Sequence, residues 1–348
     1  MNSPIFEKED FILCEVPVPK GYQQSQTHSG VALHKGQLYL TTSPYPNKQL
    51  SRWEAYLHIA LRKLTKGLLF KDGEYYENPC LYVADYNDET DIPYKFVPQR
   101  PFPLMETPKS VNGLPSFNSD PDIFIENGHC YILNRAVCRM RKLEHGYENV
   151  TKIYLIEGKI DSGSFMFNSI NQIKEWNNLY ASPCLTKFNG RYLFSYLDTN
   201  SANDSKTFGG LFLQQLGSLS ELSSNNQYTQ VAIDCCDMLP WHMSLFQHDG
   251  HLYSIIACVR TGDSTRKIWQ MLGEFSDDLT KLNIYSTPLT DFNSYRGAAC
   301  VMPDGTFALY STTVHEAIKG STASDGRNVV LAKMNFNDMM SIISQSTK

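Results

Sequence analysis

The chain has 348 residues, of which 42% are hydrophobic and 12% aromatic, so it is long enough to bury a large core. Its formal net charge is −5. The sequence lacks the long basic run typical of nucleic-acid-binding proteins, and no apolar run of about 18 residues or more predicts a membrane span. The one basic cluster is interpreted as a solvated loop; it consists of Arg135, Arg139, Arg141 and Lys142.

The N-terminal residues and the cysteines bear on the cellular compartment. The segment MNSPIFEKEDFILCEV lacks the basic stretch followed by an apolar stretch that marks a signal peptide. A cytoplasmic location is therefore expected for the sequence as it stands, and an extracytoplasmic one if a leader once preceded it. The nine cysteines form no CxxC pair and are odd in number, which predicts free, buried thiols rather than a disulfide framework or zinc site.

Five segments share one pattern, in which a strand of small and apolar residues leads through a Gly turn into an aromatic-rich strand. They are HSGVALHKGQLYLTTS from His28, DPDIFIENGHCYILNR from Asp120, SPCLTKFNGRYLFSYL from Ser182, HMSLFQHDGHLYSIIA from His242 and GAACVMPDGTFALYST from Gly297. Gly36 follows His28 at the same spacing as Gly305 follows Gly297, and such turns are typical of β-hairpins.

Each segment is followed by a third strand, and most by a fourth, which predicts five four-stranded units. The third strands are CLYVADY, KIYLIEG, GLFLQQL, KIWQMLGEF and NVVLAKM. The last unit has no clear fourth strand, and FILCEV (11–16) is expected to fill that place, closing the ring. The prediction is an all-β, five-bladed β-propeller forming a single domain (1–348), with blades starting near 28, 120, 182, 242 and 297.

The first unit contains an insertion at about 47–76. Within it, Trp53, Leu57, Leu61 and Leu64 recur at helical spacing. We expect an amphipathic helix that packs on the propeller.

One face of this fold is expected to carry function. If each first strand starts at the top, the second-to-third connections must also lie there, and these are the long ones (45–79, 134–150, 197–208, 260–266 and 313–326). The first-strand residues should then meet around the axis. His28, Asp120 and His242 would form a proton-transfer set or a metal site there.

Further residues near the strand starts are predicted to bind substrate. Ser182 starts the third first strand, and Trp241 and Tyr295 offer flat faces on which a sugar ring could stack. Asp122 and Arg296 complete the predicted substrate-binding set.

Three segments carry a family resemblance: SDPD (119–122), ASP (181–183) and His242. They resemble elements of the five-bladed propeller glycoside hydrolases of the arabinanase, xylosidase and fructosidase type. The resemblance extends over nearly the whole chain at the level of the repeat pattern. It implies an oligosaccharide or glycan partner and a catalytic role for Asp120, and it leaves room for a Ca²⁺ or other divalent ion near the axis.

The chain departs from that family at two catalytic positions. Ser182 stands where the family has its general acid Glu, and His28 where it has its general base Asp. Hydrolysis commonly needs two carboxylates, so a replacement is expected from a top loop. Glu316, beside His315, is the first choice as a catalytic residue; Glu144, Asp198 and Asp263 are further choices.

Three functions stay open on the sequence alone. A glycoside hydrolase with a rearranged acid/base set requires a second carboxylate near Asp120 in the pocket. A lyase or glycosyl-transferring enzyme would need a positive pocket without that carboxylate, using His28, His242, Tyr295 and Arg296. A non-catalytic glycan-binding or structural propeller would have aromatic residues but no interacting ionisable pair. The fold hosts all three.

Overall fold

The computed structural model describes most of the chain. The residues outside the description are 1–2, 21, 23, 45–51, 66–76, 87–91, 110, 112, 115, 145–146, 199–209, 235–236, 264, 266, 321–325 and 347–348. Strand dominates the described part, and two α-helices occur in it.

The strands follow one another as successive antiparallel meanders, preceded by a short N-terminal strand, β1 (Ile12–Leu13). The first meander contains β2 (Gln26–His34), β3 (Gln37–Pro44), β4 (Cys80–Ala84) and β5 (Phe96–Pro98). The second contains β6 (Ser116–Glu126), β7 (His129–Lys142), β8 (Tyr147–Asp161) and β9 (Ser164–Trp176). The third contains β10 (Tyr180–Phe188), β11 (Arg191–Asp198), β12 (Gly210–Leu216) and β13 (Thr229–Asp234).

The fourth meander contains β14 (Met238–His248), β15 (His251–Arg260), β16 (Ile268–Phe275) and β17 (Lys281–Pro288). The fifth contains β18 (Ala298–Val301), β19 (Thr306–Thr312) and β20 (Val329–Asn335). Helix α1 (Arg52–Leu64) lies between β3 and β4, and α2 (Phe336–Ser346) follows β20.

The meanders are arranged in a ring, as their first strands show. Strands β2, β6, β10, β14 and β18 contact one another in that order, and β18 contacts β2. A separate cluster of buried apolar side chains fills each gap between neighbouring meanders, including the gap between the fifth and the first. Burial of apolar surface therefore stabilises the ring at every junction.

The N-terminal strand completes the last meander, as predicted. Ile12 pairs with Leu331 and Leu13 with Val330, in antiparallel register, so β1 covers the outer edge of β20. The C-terminal segment after β20 forms α2 instead of a strand. Phe336, Met339 and Ile343 of this helix are buried in the core shared by the fourth and fifth meanders.

The Gly hairpins have the predicted geometry. In the third meander, Asn189 and Gly190 have φ of 48° and 77°, the double positive-φ conformation of a type I′ turn. No heavy atom lies within 4 Å of a Cβ built on Gly190, so a substitution there meets conformational strain and no clash.

Gly190→Ala is therefore expected to lower the free energy of unfolding by about 1–2 kcal/mol, because alanine in a left-handed conformation is strained. Gly190→Asn should cost less, since asparagine tolerates this region. Urea unfolding of the two variants checks the order. Equal costs would contradict a purely conformational effect.

Two predictions about the periphery need correction. Helix α1 forms, but Trp53 is 84% and Leu64 80% exposed, so these side chains do not pack on the strands. The expected loop at 134–150 is mostly a long hairpin, because Arg139 pairs with Asn149 in an extension of β7 and β8. The third and fourth meanders are also joined, since β13 pairs in parallel with β17.

Candidate functional site

A cavity of about 280 Å³ opens where the first strands begin. Its wall combines histidine, acidic, basic and aromatic side chains. The lining residues are His28, Glu77, Phe117, Ser119, Arg135, Arg139, Leu179, Ala181, Trp241, His242, Tyr295 and Arg327. Residues near the starts of the first strands, such as His28 and His242, therefore share one site with residues that precede the third strands, such as Glu77 and Arg327.

Each of the first three inner strands has a β-bulge at the same place. The register shifts between Thr27 and Gly30 in β2, and equivalent shifts interrupt β6 and β10. His28, Asp120 and Ser182 occupy these bulges with φ of 58°, 51° and 50°. Such a backbone is unfavourable for non-glycine residues and occurs where a site requires the side chain to be redirected.

Asp120 is the fully buried centre of the site. Its Oδ2 accepts a hydrogen bond from the Ser182 backbone N–H (2.9 Å) and lies 3.0 Å from Arg135 Nε. Its Oδ1 lies 3.0 Å from His28 Nε2 and 3.4 Å from His242 Nδ1. Burial alone would raise the pKa of Asp120, but Arg135 and the two histidines hold it well below its ordinary value.

His242 connects Asp120 to the cavity. Its Nδ1 lies 3.0 Å from Ser182 Oγ, which also accepts a hydrogen bond from the Met243 backbone N–H (3.1 Å). Its Nε2 is buried and has no hydrogen-bond partner among the described residues. Burial lowers the pKa of His242 to about 3, assisted by Arg135 and opposed by Asp120, so the imidazole is neutral near pH 7.

His28 links two carboxylates. Its Nε2 faces Asp120, and its Nδ1 lies 3.2 Å from Ser43 Oγ and 3.8 Å from Glu77 Oε2. Burial also lowers the pKa of His28, well below the ordinary value. A neutral imidazole therefore lies between Asp120 and the cavity-lining Glu77.

Glu77 is the second carboxyl group of the site, and it was not predicted. It lies in the cavity wall shortly before β4 and is buried. Burial raises the pKa of Glu77 to about 7, and the nearby Arg327 opposes the shift. Sequence offers one signal for this role: Glu77 separates the long loop of the first unit from the apolar strand CLYVA.

Two aromatic side chains border the histidines. The Tyr295 ring lies 5.0 Å from the ring of His28 and 4.5 Å from that of His242. Trp241 Nε1 donates a hydrogen bond to Tyr295 Oη (3.2 Å). Both aromatic residues line the cavity, where the sequence placed them.

Asp122 and Arg296 do not line this cavity, contrary to the predicted substrate contact. Arg296 is fully buried and donates hydrogen bonds to Asp122 Oδ1 (2.9 Å), Pro121 O (2.9 Å) and Met243 O (3.1 Å). Burial raises the pKa of Asp122 to about 6 despite Arg296. The pair ties the second meander to the fourth beneath the site.

Ser182 and Glu316 also differ from their predicted roles. Ser182 is fully buried and holds Asp120 and His242, so it positions these groups instead of lining the cavity. Glu316 binds Lys8 Nζ (2.7 Å) and accepts the Asn293 backbone N–H (3.1 Å). The cavity wall includes none of the four expected replacement carboxylates, which are Glu144, Asp198, Asp263 and Glu316.

The site does not fit calcium. His28, Asp120 and His242 each place a donor atom within 4.8 Å of the other two. Calcium prefers six to eight oxygen ligands, whereas this set contains two imidazoles and one carboxylate. The carboxylate also has the Arg135 guanidinium 3.0 Å away, and this charge repels a cation.

The basic cluster was interpreted as a solvated loop, but only two of its four residues are exposed. Arg135 and Arg139 line the cavity, whereas Arg141 and Lys142 are exposed farther along β7. A β-bulge explains this division, because Arg139 and Arg141 pair with the consecutive residues Asn149 and Glu148 and therefore lie on opposite faces of the sheet.

The described cysteines agree with the prediction of free, buried thiols. Seven cysteines are free and buried, while Cys235 and Cys236 lie outside the described residues. None of the described helices has the length and hydropathy to cross a membrane.

Comparison with known proteins supports the fold. No family model and no curated protein matches the chain. Among solved structures, the RS223 β-xylosidase is similar (TM-score 0.56, 12% identity, 89% of this chain and 92% of the other). So is an exo-1,5-α-L-arabinanase from a bovine ruminal metagenomic library (TM-score 0.52, 13% identity, 90% and 94%).

A third similar structure is the GH43_1 enzyme from Xanthomonas citri complexed with xylotriose (TM-score 0.53, 11% identity, 92% of this chain and 90% of the other). At these identities the similarity shows the fold alone, and the chemistry has to be inferred from the residues of the site. The chain thus has the fold of the arabinanase and xylosidase type of glycoside hydrolase, as the sequence resemblance predicted.

Proposed function

We propose that this chain is a five-bladed β-propeller that hydrolyses a glycosidic bond in its axial cavity, with Glu77 as general acid and His242 as general base. The meanders are the blades, the strand β1 closes the ring, and α1 is the insertion in the first blade. The observation that carries the proposal is the position of Glu77. This carboxyl group lies on the cavity wall, separated from Asp120 by His28.

Glu77 has the properties of a proton donor. A general acid must hold its proton at the working pH, and a carboxyl group does so when it is buried. The pKa of about 7 keeps Glu77 largely protonated in mildly acidic solution. It can therefore protonate the leaving oxygen of a glycoside.

His242 is suited to accept a proton from water. The ionised Asp120 near Nδ1 favours the tautomer that carries its proton there, which leaves the lone pair on Nε2, the other ring nitrogen of this cavity-lining residue. The lowered pKa of about 3 gives this imidazole a basicity close to that of an ordinary aspartate. It can thus replace the carboxylate base that the sequence lacks.

The aromatic residues supply a surface for the sugar. Trp241 and Tyr295 lie beside the two histidines, and sugar rings present apolar faces to such side chains. The cavity volume is at the small end of the range for ligand pockets, which favours a single terminal sugar unit. A structure with the same fold holds xylotriose, which is consistent with a carbohydrate ligand.

Glu77 and its neighbours also weigh against the alternatives. A lyase or glycosyl-transferring enzyme was expected to have a pocket without a second carboxylate, whereas Glu77 is a second carboxyl group in this pocket. A purely binding propeller required that no ionisable groups interact, whereas Glu77, His28 and Asp120 form a chain of close contacts.

The pH dependence of hydrolysis follows from the two shifted groups. Activity needs Glu77 protonated, so it should fall as pH rises through about 7. It also needs His242 neutral, so it should fall as pH drops through about 3. The expected kcat/KM profile has a broad maximum between these limits. A profile that still rises above pH 8 would contradict the assignment of Glu77.

The function itself is tested by release of aryl alcohol from a panel of aryl glycosides that covers common hexoses, pentoses and uronic acids. We expect turnover of at least one by the wild-type chain and its loss in His242→Phe. The exposed His251→Phe variant is the matched control and should keep wild-type rates. Failure to cleave any glycoside or natural oligosaccharide of these sugars would overturn the proposal.

A further inference from the structure

We propose that Ser119 is a positioning residue for Glu77, and that its hydroxyl turns its hydrogen bond from Asp120 to Glu77 when Glu77 releases its proton. This inference rests on the proposed hydrolase function and adds a residue to its machinery. Ser119 is buried, lines the cavity and immediately precedes Asp120 in β6. The proposed function gave it no role.

The Ser119 hydroxyl has two carboxyl groups within hydrogen-bonding reach. Its Oγ donates to Asp120 Oδ1 (3.1 Å). It also acts on Glu77, whose pKa is raised by burial and lowered by Arg327 and by a hydrogen bond from Ser119. A hydroxyl has one proton to donate, so Ser119 serves one carboxyl group at a time. While Glu77 is protonated, the ionised Asp120 is the stronger acceptor.

The balance changes when the Glu77 proton passes to the leaving oxygen and the glycosidic C–O bond breaks. Glu77 is then a buried carboxylate, and its Oε2 has no hydrogen-bond partner among the described residues. Asp120 keeps Arg135 Nε at 3.0 Å and the Ser182 backbone N–H at 2.9 Å when the hydroxyl turns away. Rotation of the hydroxyl toward Glu77 therefore stabilises the new charge, and Ser119 keeps its own proton throughout.

A hydrogen bond that forms as charge develops on Glu77 favours the transition state over the ground state. The other titratable and charged groups that face Glu77 are His28, Arg327, Arg135 and Asp120. Their charges are the same before and after Glu77 releases its proton, so they set its pKa but do not respond to it. The Ser119 hydroxyl does respond, because it can rotate.

The repeat shows that the fold itself needs no hydroxyl at this position. Ser119 is the last paired residue before the bulge of β6, and Thr27 and Ala181 hold the same place in β2 and β10. Ala181 is buried, as Ser119 is, and it pairs with Leu197. Alanine is thus compatible with this backbone, and we expect Ser119→Ala to fold.

The pKa of Glu77 tests the inference without any substrate. It is read from the carbon-13 resonance of the side-chain carboxyl group in protein labelled at glutamate, and the resonance missing from Glu77→Gln identifies it. In Ser119→Ala the pKa of Glu77 should rise by about half a unit or more, because the carboxylate loses a hydrogen bond. This result is obtained whether or not the chain cleaves a glycoside.

Turnover tests the same inference in the proposed reaction. Ser119→Ala should lose about tenfold in kcat/KM on alkyl glycosides, whose leaving group needs a proton, and clearly less on dinitrophenyl glycosides. Ser119→Thr keeps the hydroxyl and should keep both the pKa of Glu77 and the rate. Ser119→Val has the shape of threonine without the hydroxyl and should behave like Ser119→Ala.

The matched control is Ser254→Ala, which deletes a buried hydroxyl that donates to Ser244 O (3.0 Å) away from the cavity wall. It should change neither the pKa of Glu77 nor the rate. An unchanged or lowered pKa of Glu77 in Ser119→Ala, equal pKa values in the threonine and valine variants, or equal losses on both glycosides would each overturn the inference. A raised pKa in a chain that cleaves no glycoside would refute the hydrolase and support the hydrogen-bond switch.

Discussion

Glu77→Gln is expected to stabilise the protein at pH 8 by up to ~3 kcal/mol while slowing hydrolysis by roughly 10²- to 10⁴-fold. The stability gain follows from the raised pKa of Glu77, which is about 7 in the folded protein against an ordinary 4.5. The folded state therefore keeps this proton more tightly than the unfolded chain. Stability is lost as pH rises from the unfolded pKa through the folded one, and glutamine, which does not ionise, avoids that loss.

Urea unfolding of both proteins at pH 4 and pH 8 measures the effect. The variant should gain at pH 8 and differ little at pH 4, where Glu77 is neutral in both states. Glu148→Gln makes the same chemical change at an exposed carboxylate and should show no comparable gain. Equal stability of Glu77→Gln and the wild type at both pH values would refute a buried, protonated Glu77.

Arg296→Met is expected to destabilise the protein by about 3–5 kcal/mol, because it leaves Asp122 buried without its cation. It also removes the donors to Pro121 O and Met243 O. Burial already raises the pKa of Asp122 to about 6, and loss of Arg296 should raise it further. The loss of stability should therefore be larger at pH 8, where Asp122 is ionised in the unfolded chain, than at pH 4.

Two further variants separate the ion pair from lost packing. Arg296→Met combined with Asp122→Asn removes the unpaired charge and should recover part of the stability. Lys187→Met breaks the more exposed pair between Lys187 and Glu126 and should cost far less than Arg296→Met. A penalty for Arg296→Met no larger than that of Lys187→Met would show that the buried pair does not brace the ring.

Much of the fold could be predicted because short local sequence features determine the repeated hairpins. The hairpin turns need residues that tolerate positive φ, and Asn189–Gly190 or Asp249–Gly250 supply them at fixed spacing. The closing strand was predictable by elimination, since the last unit lacked a partner that FILCEV could provide. The apolar helix pattern around Trp53 was misleading, because periodicity predicts a helix and does not reveal what covers it.

The site was predicted in part for a related physical reason. His28, Asp120 and His242 stand at equivalent places in the repeat, so register alone brings them together. Glu77 and Arg327 come from segments before third strands, where loop length varies and no register argument applies. Only the folded ring places them on the same cavity wall.

The fold also separated residues that the sequence grouped together. Asp122 and Arg296 are close in register to the site residues, yet they bind each other and do not line the cavity. A sequence pattern can show that polar residues converge. It does not show which of them face the cavity and which face each other.

The role of Glu77 as proton donor is tested most directly by the leaving-group dependence of Glu77→Gln. The dinitrophenolate of a dinitrophenyl glycoside departs without protonation. The alkoxide of an alkyl glycoside needs a proton from a general acid to depart. We predict that the variant loses less than about tenfold in kcat/KM on the former and roughly 10²- to 10⁴-fold on the latter. Equal losses on both substrates, or no loss on either, would contradict the account.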